Sequence, residues 1–207
     1  WDVVANSWSG AQADLVRSDD GASRTVFESW ITSDIARRLF AEAGLDFDEQ
    51  KSTAKEPGFV AVDMGDLTAS GKIVQTVSRM ESRNVVGVLP GTVAPDEYML
   101  FTAHWDHLGK KSEERAGEPG QDFYRDDIFN GAVDNATGSA ALLEIAEAMA
   151  QDEHPRSGLF LAVTLEESGL LGSAYYAENP TVPMNRIVAG INMDGMLPIG
   201  RTKDMVV

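Results

Sequence analysis

Leu159-Phe160-Leu161-Ala162-Val163-Thr164-Leu165 (LFLAVTL) runs straight into Glu166-Glu167. A short, continuous apolar run of this kind reads as a strand buried on both faces. Two more runs have the same form. Glu97–Ala103 (EYMLFTA) ends at His104, and Ile187–Met193 (IVAGINM) ends at Asp194. In open α/β sheets, ligands bind in the crevice beyond the carboxyl ends of the strands. The three runs therefore deliver one histidine and three carboxylates to one edge of one sheet.

The elements around these runs alternate. Ser139–Ala150 is a strongly apolar helix expected to lie buried on the sheet, and a helix is expected from about Leu170 to Ala177. Strand–helix–strand alternation predicts an α/β fold with a mixed, largely parallel central sheet flanked by helices. Asn84–Leu89 (NVVGVL) is the first core strand, stopped by Pro90-Gly91, and is expected to form a hairpin with Glu97–Ala103. Lys110–Phe129 is polar and reads as a loop over the site.

Residues 1–70 differ in character. Ser7–Thr25 is rich in Ser, Asp and Gly and suggests loops. A helix is expected over Ser33–Ala43, capped by Thr32 or Ser33 and stopped at Gly44, and Asp46–Lys55 reads as a second short helix. Phe59–Met64 and Lys72–Val77 read as strands.

Composition narrows the function classes. The 207 residues suit one sizeable α/β core with some extra. A net charge of −16, from 33 acidic against 17 basic residues, repels phosphate backbones and makes nucleic acid a poor partner. It favours cationic ligands or metal ions, or serves solubility alone. The absence of cysteine excludes disulfides, thiolate metal sites and a cysteine nucleophile. No apolar run approaches a membrane span, so no membrane partner is expected. A start at Trp1, without Met or a leader, reads as an excised or processed segment.

Four short segments can carry chemistry. In Ala103-His104-Trp105-Asp106-His107-Leu108-Gly109, His104 can bind zinc while Asp106 orients its ring, or it can be a structural histidine. In Asn130-Gly131-Ala132-Val133-Asp134-Asn135-Ala136-Thr137-Gly138, Asp134 is either a helix-capping acid or a metal-bridging carboxylate. Glu166 and Glu167 are costly if both are desolvated without a partner, and a cation resolves that cost. One can bind metal while the other acts as general base, unless the pair is an exposed acidic turn. Asp194, in Asn192-Met193-Asp194-Gly195-Met196, needs a partner too, and metal is one candidate. Together they make a metallohydrolase the leading expectation.

The ordered set His-x-Asp, GAxDNATG, Glu-Glu and NMD resembles the zinc aminopeptidase family of secreted bacterial leucine-type aminopeptidases, whose distant relatives include glutamate carboxypeptidase and glutaminyl cyclase. The resemblance covers roughly residues 80–200. It implies a zinc exopeptidase fold, a phosphorylase/hydrolase-like sheet, in residues 71–207, with residues 1–70 similar to the tail end of a protease-associated insertion plus a helical linker. It implies two zinc ions: His104 and Asp194 on the first, Asp134 bridging, Glu167 on the second, Glu166 as general base and Asp106 orienting His104. Such metals polarise a scissile carbonyl and lower the pKa of a bridging water. The implied substrate is a peptide with a free amino terminus, and the implied location is extracellular or periplasmic.

The family also uses a further histidine downstream of the Asp194 motif, and no histidine follows His154. His154 precedes the amino end of a strand, on the opposite sheet edge, and His107 is read as structural. The second zinc position is then left with Asp134 and Glu167 alone. The chain is expected to be a fragment lacking carboxyl-terminal strands, with one metal held more tightly than the other. The alternatives are a single-zinc amide hydrolase or cyclase of the same fold, and a catalytically silent binding module such as the transferrin receptor exemplifies.

Overall fold

A computed structural model of the protein describes residues 11–19, 21–25, 27–110, 128–197 and 200. Two compact units are present. One contains Val16–Arg79; the other contains Ala13–Leu15 and the chain from Met80 onward.

In the first unit, helix α1 (Ser33–Glu42) begins where Thr32 accepts a hydrogen bond from the Ile35 amide. Gly44 then takes a left-handed conformation (φ 72°), which glycine adopts without a Cβ penalty. Helix α2 (Phe47–Thr53) is capped by Asp46. Both helices match the sequence reading, and neither buries a residue. The expected strands at 59–64 and 72–77 do not form. Val60, Val74 and Val77 are 78%, 85% and 82% exposed. Apolar sequence supplies a face, but a strand also needs a ladder partner, and none reaches these segments among the described residues.

The second unit carries a four-stranded sheet in the order β1-β3-β2-β4. Its strands are β1 (Val85–Leu89), β2 (Ala94–His104), β3 (Arg156–Val163) and β4 (Ile187–Asn192). β2 runs parallel to both β3 and β4, and β1 runs antiparallel to β3. The expected β1–β2 hairpin is therefore corrected. The connecting chain passes the amino end of β3 instead of turning back. Gly91 N–H donates to Ser157 Oγ (3.0 Å), and the Val93 and Ala94 amides donate to the Pro155 carbonyl. A Cβ on Gly91 would lie 2.5 Å from the Arg156 carbonyl carbon, so only glycine permits this crossing. β2 thus keeps both edges for parallel neighbours.

Helix α3 (Ala136–Gln151) covers one face of the sheet. Leu142 packs with Ala103, Phe160 and Met193, and the Phe101 and Phe160 rings stack at 5.4 Å. On the other face Leu159, Leu161 and Val163 meet Tyr176 of helix α4 (Leu171–Glu178). Alternate residues of β3 thus serve opposite layers, as the period of a strand requires. Burying each such side chain contributes about 1.5–3 kcal/mol. β3 is buried as its sequence predicts. β4 is not: among the described residues it pairs on one edge only, and Val188 and Ile191 are about half exposed.

The parallel pairing sets where the strands end. His104 aligns with Val163, and Thr102 aligns with Asn192. The carboxyl ends of β2, β3 and β4 therefore open on one edge. The expected loop at Lys110–Phe129 lies largely outside the described residues; its ends meet in a bridge between Lys110 and Ile128.

Candidate metal centre

His104 ends β2 and is 3% exposed. Its carbonyl accepts a hydrogen bond from Ser139 Oγ on α3 (3.0 Å). Its Nδ1 lies 2.9 Å from the Asp106 carbonyl oxygen. A carbonyl only accepts, so Nδ1 carries the proton and the neutral ring presents a lone pair at Nε2. The Asp106 carboxylate is farther off, at 3.8 Å from Nδ1. Main chain, more than the expected side chain, orients the ring. The Asp106 Oδ1 faces the Glu166 amide instead (3.3 Å).

Around Nε2 stand Asp134 Oδ1 (3.0 Å), Asp194 Oδ1 (3.2 Å) and Glu166 Oε2 (3.9 Å). All are acceptors facing an acceptor. Only a proton or a cation placed among them removes that conflict. Without metal, the proton takes this role. Burial works to lower the His104 pKa, but the Asp106 carbonyl and the Asp194 carboxylate outweigh it, and the pKa is raised. The Glu166 pKa is also raised, first by burial and further by Asp194, Glu167 and Asp134, against the opposing pull of His104. The donor atoms of His104, Asp134 and Asp194 lie within 4.8 Å of one another. One imidazole nitrogen with carboxylate oxygens is a donor set that suits zinc.

The loop before α3 settles the role of Asp134 in the cap. Asn135, not Asp134, caps the helix: its Oδ1 accepts from the Gly138 amide (2.9 Å). Asn135 is 2% exposed, and its Nδ2 donates to the Met193 carbonyl (2.9 Å). Its Oδ1 also receives the Gly195 amide (3.3 Å). One buried amide thus ties the loop carrying Asp134 to the strand end carrying Asp194. The Asp134–Asn135 peptide bond is cis. Sequence reasoning misses Asn135 as a positioning residue, although an asparagine before an apolar helix is a capping signal.

After β3, Leu165 takes a left-handed backbone (φ 53°). A branched residue there costs about 1–3 kcal/mol and is found mainly at functional sites. The adjacent carboxylates diverge. Glu166 turns toward His104, and Glu167 turns toward His107, whose Nδ1 is 2.5 Å from Oε1. Both glutamates are about three-quarters buried, so the exposed-turn alternative is overturned. His107, read as structural from the sequence, stands with Asp134 and Glu167 in a second group whose donor atoms lie within 4.8 Å of one another. His154 lies away from both groups, before β3, with Nδ1 donating to the Asp152 carbonyl. A cleft beside the centre is lined by Trp105, Asp106, His107, Phe129 and Asn135, among others.

An α/β sheet whose strand ends gather histidine and carboxylates in two donor groups is a scaffold able to hold metal at that edge. Residues 84–207 match Peptidase family M28, and the chain belongs to that family. Among relatives, Aminopeptidase NAALADL1 of Mus musculus is 32% identical over 149 residues, 67% of this chain and 17% of its own length. A probable zinc metalloprotease of Pyrenophora tritici-repentis is 29% identical over 184 residues, 89% of this chain and 36% of its own length. A glutamate carboxypeptidase 2 homolog of Caenorhabditis elegans is 30% identical over 119 residues, 54% of this chain and 13% of its own length. The chain therefore spans well under half the length of these curated relatives.

Proposed function

We propose that this chain carries the catalytic centre of a metallo-aminopeptidase that removes amino-terminal residues from peptides. The observation that carries this reading is the pair of roles around His104. Asp134 and Asp194 close on Nε2 as ligands, while Glu166 stands behind them at 3.9 Å with a raised pKa. When bound, zinc polarises a carbonyl and makes nearby water a better nucleophile. His104, Asp134 and Asp194 would hold the ion, and His107, Asp134 and Glu167 form a second donor group beside them. Glu166 Oε2 takes the proton of the attacking water and passes it to the leaving amine. A raised pKa brings the carboxylate nearer the range where it both accepts and returns a proton. The Asp106 carbonyl fixes the His104 tautomer so that Nε2 faces the metal position.

Removal from the amino end, rather than the carboxyl end, rests on the likeness to a protein described as an aminopeptidase and on the acidic surroundings. The carboxylates at the strand ends suit a substrate ammonium group. The test compares an aminoacyl reporter with a carboxyl-terminal reporter, using wild type and Glu166→Gln. The expected result is metal-dependent cleavage of the aminoacyl reporter, reduced about 10²–10⁴-fold by the substitution with metal content unchanged. Preference for the carboxyl-terminal reporter overturns the direction of attack, and an unchanged rate in Glu166→Gln overturns the general base.

A further inference from the structure

We infer that Asn84 is a positioning residue for Glu166: its side chain braces the turn between β3 and α4 that carries the two glutamates. The inference rests on the metallopeptidase reading above for what Glu166 does; the brace itself rests on contacts outside the donor groups. β1 and β3 pair as strands from Val85, opposite Ala162. One residue upstream, the pairing passes to a side chain. Asn84 Oδ1 accepts from the Thr164 amide (3.1 Å), and Asn84 Nδ2 donates to the Gly172 carbonyl (2.7 Å). One amide group thus joins the residue before Leu165 to the first turn of α4. Ser82 Oγ bonds to Thr164 Oγ1 (2.7 Å), and Thr164 is 7% exposed. The Arg83 carbonyl accepts from the Trp105 indole N–H (3.2 Å). Residues 82–84 therefore grip the chain after His104 as well as the chain before Glu166.

The turn needs such a brace. Leu165 and Leu170 flank it with left-handed backbones (φ 53° and 61°). Residues other than glycine keep that conformation only where the surroundings over-determine it. The amides of Leu170, Leu171 and Gly172 donate to the carbonyls of Glu166, Leu165 and Thr164 (2.8, 3.0 and 3.0 Å). These bonds close the turn on itself. Asn84 ties both of its ends to the chain leading into β1, and the Asp106 carboxylate holds the Glu166 amide (3.3 Å). Gly172 makes the approach possible: a Cβ there would overlap the Thr164 carbonyl and stand 2.7 Å from Asn84 Oδ1. Losing the brace lets Leu165 leave its strained conformation and moves Glu166 from its place 3.9 Å from His104 Nε2. A displacement of about 1 Å at a reacting group can cost about 10²-fold in rate.

The test sets Asn84→Ala and Asn84→Asp beside Ser157→Ala in the 207-residue protein. Asn84→Asp keeps the shape and the acceptor but loses the donor. Ser157 is the matched control: its hydroxyl also bridges two main-chain groups, the Gly91 N–H and the Pro95 carbonyl, but at the amino end of β3. Amide spectra report that each variant folds. In both Asn84 variants, hydrogen exchange is expected to quicken at Leu170, Leu171 and Gly172 by about tenfold or more beyond any change at Leu159 and Leu161. Ser157→Ala is expected to show no such excess. With zinc and an aminoacyl reporter, kcat is expected to fall about 10–100-fold in the Asn84 variants, with KM within about twofold, and to hold in Ser157→Ala. No excess at the turn in either Asn84 variant, or the same excess in Ser157→Ala, overturns the brace. Quickened exchange with unchanged kcat overturns the link to Glu166. A wild type without turnover overturns the peptidase reading instead, and exchange alone then decides the brace.

Discussion

The two halves of the centre are built by different means. His104 is part of a ladder: it pairs with Val163 in β3, its carbonyl receives Ser139, and its ring is tautomer-locked by the Asp106 carbonyl. His107 sits past the strand end, about one-fifth exposed, and is held by loop contacts from Gly131 and Phe129. Sheet hydrogen bonds resist displacement cooperatively, whereas loop contacts open at lower cost. The strand-held half should therefore bind metal first and most tightly, and the loop-held half second.

The largest effect is expected from His104→Ala. It removes the ligand around which Asp134, Asp194 and Glu166 converge, so the first metal position should be lost outright, as measured by metal per chain after dialysis. If His104→Ala and His107→Asn weaken binding equally, the halves are not ranked as proposed. Next in size is Asn135→Ala. The substitution unpairs the Met193 carbonyl and the Gly138 and Gly195 amides. It should destabilise the protein by about 1–3 kcal/mol in chemical denaturation. Metal affinity should fall about 10–100-fold, mainly in the His104 half, because Asp134 and Asp194 lose their common tether. Ser139→Ala removes a single bond to the His104 carbonyl and should cost about 0.5–1.5 kcal/mol, with little change in stoichiometry.

The smallest effect expected is a pH trend that distinguishes metal-free from loaded protein. A raised His104 pKa gives stability that is complete below the unfolded value of 6.5 and is lost as pH rises through the folded value. Glu166, also raised, acts in the same direction from 4.5 upward. The melting temperature of the metal-free chain should therefore fall as pH rises above about 6.5. With saturating zinc the trend should vanish or reverse, because deprotonated ligands bind metal better. A metal-free melting temperature that rises over this range contradicts the assignment.

A second contrast shows how far sequence alone reaches. LFLAVTL at 159–165 and FVAVDM at 59–64 are both short apolar runs. The first begins in β3, between two neighbouring strands and under two helices; the second forms no strand and leaves Val60 78% exposed. Composition marks a segment able to form a strand, and its partners decide whether it does. The order of the strands is hidden from sequence for the same reason. Nothing in Asn84–Leu89 says that its ladder partner lies about 70 residues away, since the decisive contact is Gly91 passing the amino end of β3. The readable part is what strand direction dictates: His104, Glu166, Glu167 and Asp194 follow strand ends that open on one edge, and Asp134 precedes the helix packed above them. Asn135 escapes a sequence reading because its role depends on a contact 58 residues away in the chain, and the pairing of His107 with Glu167 is likewise 60 residues distant.

His104, Asp134 and Asp194 form the donor group on which the metal-centre reading stands. Zinc per chain, by elemental analysis after dialysis against trace zinc, tests it beside the chain carrying His104→Ala. Tightly held zinc in the wild type and its loss in the variant are expected. Equal zinc in both would contradict the reading.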